Sequence, residues 1–559
     1  MPKRDRWLLL GGCLLLAILV RWPTSIFWDA LPQDPNTPLH ALAAMDLSSG
    51  SASPWKLSLL GYPDGLDVRL LAWPVLICSI PFEYVLGPVA AFNLGVLLWL
   101  TLQGVVVGIL GARLGWPLHA RLVAAAAIIT APTTLRALGN GQFENLTAVA
   151  LVMGLMAILS SGRTAALWGA GAGLIASFSS PYQGVVLGAL LGVGVLLHRP
   201  RETWPALAGA AASTLIAVAY FLGVTSGHVH LSAVPAPGAM AESASLGEVF
   251  LPWLYAPPHT TGELPAAGLK GITESFEALS STPLRYEFGA SWPWVNSVAY
   301  GYTGGFLILL GAWGLWSQRR ETICRVLAVF GLLCLCLAMG RQLVLSPGNE
   351  TSIPMLWALP SLIGSLEQMQ ATVRFLTGLG FAAVIGVGFL CSRLGPRSSA
   401  GLALLVIADG LFLAPAHWPV PASGTDISPI ESTLSDGPVA SWPGPPTLAP
   451  RHHQTLALLL ERPVAWFSGT TPELLETQGA HATELEENEF GEEPDEWLRR
   501  VKEAGVLDLV EFQTPEGKNL GAVFRQKEAP VCGDQLCAYS LREARPQSTN
   551  GNAPAEPER

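Results

Sequence analysis

Long apolar stretches separated by short polar turns fill the first three quarters of the chain, and the last quarter loses them. A helix that crosses the hydrocarbon core takes about 20 mostly apolar residues. Windows of that kind predict helices near residues 7–22, 88–111, 118–134, 145–161, 164–179, 183–197, 203–224, 298–316, 323–340, 372–391 and 399–415. The expected fold class is mainly α, a polytopic membrane helix bundle of about 11 spans over residues 1–418. The first stretch, Leu8 to Val20, follows Lys3, Arg4 and Arg6 as the core of a signal peptide would. The bulky Val20-Arg21-Trp22-Pro23 offers no small-residue cleavage site, so an uncleaved anchor is predicted. Leu70 to Leu86, interrupted by Pro74, Pro81 and Glu83, predicts a re-entrant or interfacial segment.

Beyond residue 418 the pattern changes. Pro and Gly crowd Pro419 to Pro450, which reads as a linker. Glu496 to Ala504 looks helical and stops at Gly505, while Val506 to Phe512, Gly521 to Phe524 and Leu536 to Leu541 read as strands between turn signals. Residues 419–544 are thus expected to form a small soluble α/β domain. Glu484 to Glu496 carries eight acids and reads as a solvated loop. The Pro-, Ser-, Asn- and Glu-rich stretch 545–559 has nothing to bury and reads as a disordered tail.

Composition narrows this picture. Of 559 residues 50% are apolar and 13% charged, with a mean hydropathy of +0.41. Soluble globular chains carry about 25% charge, which excludes a single water-soluble enzyme and makes the lipid bilayer the first partner. Residues 419–559 hold 23 of the 42 Asp and Glu against 11 of the 32 Lys and Arg. Only six lysines occur and no basic run forms, so nucleic acid is not an expected partner.

The arginines orient the bundle. With the N-terminus in the cytoplasm, the short inside segments carry Lys3, Arg4, Arg6, Arg113, Arg121, Arg163, Arg199, Arg201, Arg319, Arg320, Arg325, Arg393 and Arg397. This satisfies the positive-inside rule, provided that Leu70 to Leu86 does not cross. Three large segments, 23–87, 225–297 and 341–371, then face outward, as does the polar domain. Cys13, Cys78, Cys324, Cys334, Cys336 and Cys391 read as apolar filler. Cys532 and Cys537 are the only pair in the polar part, and a disulfide closing a hairpin fits them better than a metal site, because no second Cys or His pair stands nearby.

Candidate chemistry gathers on the outer face. Asp29 and Asp34 follow the first helix, flanked by Trp22 and Trp28, with His40 six residues beyond Asp34. A carboxylate at headgroup depth suits a general base that meets a lipid-borne substrate; the alternative is that Asp34 caps the next helix. The Gly-rich turn from Arg136 to Asn145 crowds Gln142, Glu144 and Asn145, which either bind sugar hydroxyls or close a polar turn. Tyr182, in Ser179-Ser180-Pro181-Tyr182-Gln183, has the same two readings. Arg374 opens the tenth helix and either snorkels to lipid phosphate or binds a substrate phosphate; Arg341 is a second such candidate. Asp409, inside the eleventh span, reads as the partner of a packing hydrogen bond. His228, His230 and His259 lack paired ligand spacing. No Gly-rich phosphate loop, zinc-hydrolase motif or Ser-His-Asp signature appears.

In their order along the chain these features resemble the GT-C superfamily of integral-membrane glycosyltransferases, in particular bacterial members with a C-terminal extracytoplasmic domain. The likeness rests on Asp29 and Asp34, Gly61-Tyr62-Pro63-Asp64-Gly65, Gly141-Gln142-Phe143-Glu144-Asn145, Ser180-Pro181-Tyr182, Val373-Arg374-Phe375, and Arg462-Pro463 followed by Ala504-Gly505-Val506. The resemblance implies a polyprenyl-phosphate-linked sugar as donor, a glycan, lipid or protein acceptor in the cell envelope, and the bacterial inner membrane as location. It implies that Asp34 deprotonates the acceptor, that the sugar is transferred with inversion, and that Arg374 neutralises the departing phosphate. Many members have adjacent acids, whereas Asp29 and Asp34 are five apart. Whether they act as base or as ligands of a divalent cation such as Mg or Mn stays open. A transporter or flippase of a lipid-linked saccharide and a noncatalytic assembly protein are the competing classes; a transporter should gather its polar groups at the midplane, whereas these lie at one face.

Overall fold

The computed structural model describes residues 2–22, 37–49, 72–139, 141–198, 200–225, 301–346, 349–358, 372–413, 427–442 and 450–465. It also describes shorter pieces at 24–26, 28, 31–32, 56–57, 59–62, 66–67, 244, 246–250, 284–285, 422–424, 502–503, 505–506, 508–512, 531–532 and 536–540. The chain divides into two compact units. The first comprises Met1–Trp55, Val68–Tyr286 and Ser291–Thr425; the second comprises Lys56–Asp67, Glu287–Ala290 and Asp426–Arg559.

The first unit is helical. Its elements are α1 (Lys3–Val20), α2 (Thr37–Ser48), α3 (Trp73–Leu86), α4 (Pro88–Arg113), α5 (Leu118–Ile129), α6 (Pro132–Gly139), α7 (Ala148–Ile158), α8 (Gly162–Ser179), α9 (Pro181–Leu197) and α10 (Pro200–Thr225). They continue with α11 (Leu246–Phe250), α12 (Gly305–Ser317), α13 (Thr322–Ala338), α14 (Leu376–Cys391) and α15 (Pro396–Ala408). Among the described residues three helical stretches, Pro88–Arg113, Leu118–Gly139 and Thr372–Cys391, have the length and apolar character to cross a membrane, the second interrupted between Ile129 and Pro132. Trp73–Leu86, with 14 residues, spans about 21 Å, short of a hydrocarbon core of about 30 Å.

Several helices break where the apolar pattern runs on. The predicted 118–134 helix stops at Ile129 and restarts at Pro132, since a proline ring has no N–H for the helix ladder and clashes with the preceding turn. The predicted 298–316 helix begins only at Gly305, because Gly304 adopts φ 107°, outside the helical region. The last span leaves the α-helix at Asp409 for a π-turn, Asp409–Leu413. There the fully buried Asp409 carboxyl accepts the Tyr302 hydroxyl and, at 2.9 Å, the Leu307 N–H. It thereby satisfies an otherwise orphaned donor of the first turn of α12, as the packing hydrogen bond expected of it would. Asp409→Ala leaves both donors buried and unpaired, so the unfolding free energy in detergent should fall by about 3 kcal/mol, a loss that denaturant titration would detect.

Small residues let the helices close up. Gly169 and Gly173 of α8 lie against Ala206 and Ala210 of α10, and a Cβ at either glycine would meet the facing backbone. On α12, Gly311 and Gly314 do the same against Ala383 and Gly386 of α14. Close backbone approach of this kind is how helices associate where lipid removes the hydrophobic drive. Segments 23–87 and 225–297 and the stretch after the last helix are also joined by a small sheet: β1 (Leu31–Pro32) pairs antiparallel with β8 (Ala422–Gly424), which pairs parallel with β5 (Leu284–Arg285). A hairpin of β6 (Gln342–Ser346) and β7 (Asn349–Pro354) lies within 341–371.

The second unit holds a six-stranded mixed sheet. Its strands are β3 (Leu60–Tyr62), β9 (Val439–Trp442), β10 (Val464–Ala465), β11 (Asp508–Phe512), β12 (Val531–Cys532) and β13 (Leu536–Ser540), in the order β12-β13-β11-β9-β10-β3. Strand β9 lies within the stretch expected as a linker. Val439 and Ala440 are fully buried at the centre of the sheet, so four residues form a core strand despite prolines and glycines on both sides. Strand β3 comes from the segment between α2 and α3, far ahead of the other strands in the chain. Helix α17 (Pro450–Leu460) follows β9, with a single turn, α16 (Ser428–Glu431), before it. The Arg462 guanidinium donates to the Ser435 carbonyl, and the Pro463 carbonyl accepts the Val439 N–H at 2.9 Å. Cys532 and Cys537 are joined by a disulfide across the β12–β13 hairpin. Glu484 to Glu496, Gly521 to Phe524, residues 545–559, His228, His230 and His259 lie outside the described residues, as does most of the predicted 496–504 helix.

Candidate functional site

Three turns that are far apart in sequence meet at one end of the first unit. The first begins at Gly141, whose φ of 63° reverses the chain after α6 and leads into a 3-10 turn, Phe143–Asn145. The second is the start of α9, where the Ser180 hydroxyl accepts the Tyr182 N–H at 3.3 Å as an N-terminal cap. The third is the 3-10 turn Thr372–Phe375 that opens α14.

Side-chain amides bind these turns together. Asn145 Nδ2 donates to Gln142 Oε1 and Gln183 Nε2 donates to Asn145 Oδ1, both at 3.2 Å. The Thr147 hydroxyl donates to Gln183 Oε1 at 2.8 Å, and the Thr377 hydroxyl donates to the Arg374 carbonyl at 2.9 Å. From below, Trp99 Nε1 donates to the Leu146 carbonyl at 2.9 Å, and Gln103 Oε1 accepts the Ala148 N–H at 3.2 Å. Two polar side chains of the mid-helix α4 thus fix the turn that follows Glu144. The buried Gln142, Asn145 and Gln183 amides pair with one another, which sets their orientation, whereas Gln103 Nε2 meets no acceptor among the described residues.

Arg374 sits at the edge of this network. Its Nη1 lies 3.3 Å from Glu144 Oε1, with the two side chains 20% and 17% exposed, and its guanidinium carbon is 5.0 Å from the Tyr182 ring centroid. Tyr182 in turn tilts against Phe375 at 5.7 Å, and Phe375 against Trp357 at 4.9 Å. The guanidinium is therefore held by an anion on one side and an aromatic face on another. Its buried Nε–H meets no acceptor among the described residues.

His40 reaches the same turn from α2. Its ring, 4% exposed, lies 5.4 Å edge-on from Phe143 and 6.0 Å from Phe92 in a stacked arrangement. Arg341 is exposed in the turn before β6, where its carbonyl accepts the Met355 N–H. Asp29 and Asp34 lie outside the described residues, but the chain that leads to them is anchored. Arg21, 1% exposed, donates to Asn93 Oδ1 at 3.2 Å, and Asn93 Nδ2 donates to the Trp28 carbonyl at 2.9 Å.

The structure therefore brings together Gln142, Glu144, Asn145, Tyr182 and Arg374, with His40 packed on Phe143 of the first of the three turns. Gln183, Thr147, Thr377 and Gln103 complete the network and were not singled out as site residues by sequence. Gln103 alone carried a signal, an amide within a 26-residue apolar helix. Among the described residues no group of three His, Cys, Asp or Glu gathers as metal ligands. The carboxylates on which a cation would depend, Asp29 and Asp34, are not among them.

No protein-family model and no curated protein sequence matches the chain. Solved structures similar to it include ArnT from Cupriavidus metallidurans in the apo state, 12% identical over 95% of this chain and 96% of that one, with a TM-score of 0.49. ArnT bound to undecaprenyl phosphate is 15% identical over 96% and 98%, with a TM-score of 0.44. The oligosaccharyltransferase of Archaeoglobus fulgidus in the apo form is 11% identical over 91% of this chain and 70% of that one, with a TM-score of 0.40. Identities this low carry no residue role across to this chain.

Proposed function

We propose that the chain is a membrane glycosyltransferase that moves a sugar from a polyprenyl-phosphate donor to an extracytoplasmic glycan, lipid or protein. The observation that carries this reading is Arg374, a guanidinium clamped between Glu144 and Tyr182 with a buried Nε–H left unpaired among the described residues. Such a group suits a phosphate oxygen, which it can bind through a planar fork of donors. The neighbouring Gln142, Asn145 and Gln183 amides are buried and paired with one another, so they fix the turns that carry Glu144, Tyr182 and Arg374 rather than facing a substrate themselves.

In this reading Asp34 takes the proton of the acceptor hydroxyl, whose oxygen attacks the anomeric carbon from the face opposite the phosphate. The bond from that carbon to the phosphate oxygen breaks, the electron pair leaves with the phosphate, and Arg374 stabilises the developing charge. Inversion follows from the single displacement. Asp29 is the second carboxylate of the loop, and His40 and Arg341 are further substrate contacts. The N-terminus lies in the cytoplasm and the second unit outside.

The test uses the purified full chain in lipid nanodiscs, a polyprenyl-phosphate donor with a labelled sugar, and a cell-envelope extract as acceptor. Transfer moves the label out of the lipid fraction and releases one polyprenyl phosphate per sugar moved. A flippase would instead carry the intact labelled lipid across a proteoliposome bilayer with the sugar–phosphate linkage unbroken, and that outcome would overturn the reading.

A further inference from the structure

Away from the network around Arg374, a groove of about 560 Å³ opens between α12, α13 and α14, with Leu197 at the end of α9 closing one corner. Small residues make it: Ala312, Ala328, Gly331, Ala382 and Ala383 on three helices carry nothing beyond a Cβ where larger side chains would fill the space. Its walls are apolar along their length. At one end only, the lining turns basic, with Arg319 after α12 and Arg325 in the first turn of α13. Both guanidiniums are exposed; Arg319 also lies over the Trp316 ring, 4.8 Å from its centroid.

We propose that this groove is a binding site for one anionic phospholipid, with an acyl chain between the helices and the headgroup phosphate between Arg319 and Arg325. Three observations select that occupant. From Ile308 to the end of α12 at Ser317 the lining rises about 14 Å, close to half of a hydrocarbon core of about 30 Å, which matches one leaflet. A purely apolar channel ending in two cations matches an amphiphile with a single anionic end. The basic end also lies on the side where the arginine asymmetry of the chain places the cytoplasm, the leaflet that carries anionic lipid, and basic pockets between helices on that side are suited to phosphate headgroups. Glu321, the acid nearest in sequence, is exposed in the turn between the two arginines, so it moderates the local charge without closing the groove. The inference does not depend on glycosyl transfer.

The experiment is lipid binding by native mass spectrometry of the full chain, titrated with phosphatidylglycerol and separately with phosphatidylcholine of the same acyl chains. Wild-type protein should retain one phosphatidylglycerol in preference to phosphatidylcholine. R319A/R325A should weaken that binding by about thirtyfold, the effect of two arginines near an anionic headgroup. R320A removes an adjacent exposed charge that does not line the groove and should leave binding unchanged. A328L, which fills the channel, should reduce occupancy of both lipids, and circular dichroism establishes that each variant remains helical. Equal affinity for the two lipids, or wild-type occupancy in R319A/R325A, would overturn the proposal. So would retention of an added polyprenyl phosphate that R319A/R325A abolishes and R374A leaves intact, which would assign the groove to the donor lipid instead. Transfer activity is not read in any arm, so failure here and failure of the enzyme reading are separate results.

Discussion

Arg374→Ala is expected to weaken the binding of a polyprenyl phosphate by on the order of a hundredfold, the loss of at least one charge-assisted hydrogen bond in a partly dehydrated setting. The loss has two parts. The phosphate gives up its cation, and Glu144, 17% exposed and 3.3 Å from Arg374 Nη1, is left as an unpaired carboxylate close to the arriving anion. Adding Glu144→Gln to Arg374→Ala should therefore recover part of the affinity, although neither change restores a donor fork. Arg374→Lys keeps the charge but presents a compact ammonium in place of the planar fork, and should fall between wild type and alanine. Equilibrium binding of a fluorescent polyprenyl phosphate to nanodisc-embedded protein measures all three variants against wild type, with thermal unfolding as the control for folding. Because the contact exists in the ground state, KM should rise along with any fall in kcat. Unchanged lipid affinity in Arg374→Ala would remove phosphate binding from this residue.

How far the site was legible follows from what each turn displays in sequence. Glu144, Tyr182 and Arg374 each sit at a helix boundary predicted to face outward, and the alternation of crossings is enough to place them on one side. Which turns touch is a different matter. The contact between Glu144 and Arg374 spans 230 residues, and it depends on α4 packing on α7, α7 on α9, and the Thr372–Phe375 turn on α9. Hydrophobic periodicity says nothing about neighbours when every face of a helix is apolar. Gln183 was hidden for a related reason: beside Tyr182 it looks like one more polar residue of a turn, yet its amide is the one that links Asn145 to Thr147.

The fold shows the same division. Apolar windows located the helices to within a few residues but ran across the breaks at Pro132, Gly304 and Asp409, because hydropathy averages do not register a missing N–H or a positive φ. Composition likewise hid β9, whose Val439 and Ala440 stand between Pro438 and Pro443. Strand β3 shows a further limit. Its residues precede α3 in the chain, and only the pairing of Leu60 with Val464 assigns them to the second unit. Long-range pairing of this kind leaves no local trace in either partner.

Asp34→Asn should lower turnover by about a hundredfold to ten-thousandfold, the usual cost of losing a general base, while donor binding changes little. Asparagine keeps the size and polarity of the side chain but cannot take up the acceptor proton, so the deficit falls on the transition state and appears in kcat rather than KM. This separates Asp34 from Arg374, whose alanine variant should lose donor affinity. Asp29→Asn distinguishes the two carboxylates. Asp29 directly follows Trp28, whose carbonyl is held by Asn93 at 2.9 Å and, through Asn93, by the buried Arg21; Asp34 lies two residues past β1, where Leu31 and Pro32 pair with Ser423 and Ala422. The described backbone just before each carboxylate in sequence is thus anchored. Steady-state kinetics with the labelled donor decide between them. Full activity in Asp34→Asn with loss in Asp29→Asn would move the base to Asp29 and leave the enzyme class standing, and full activity in both would remove this loop from the chemistry.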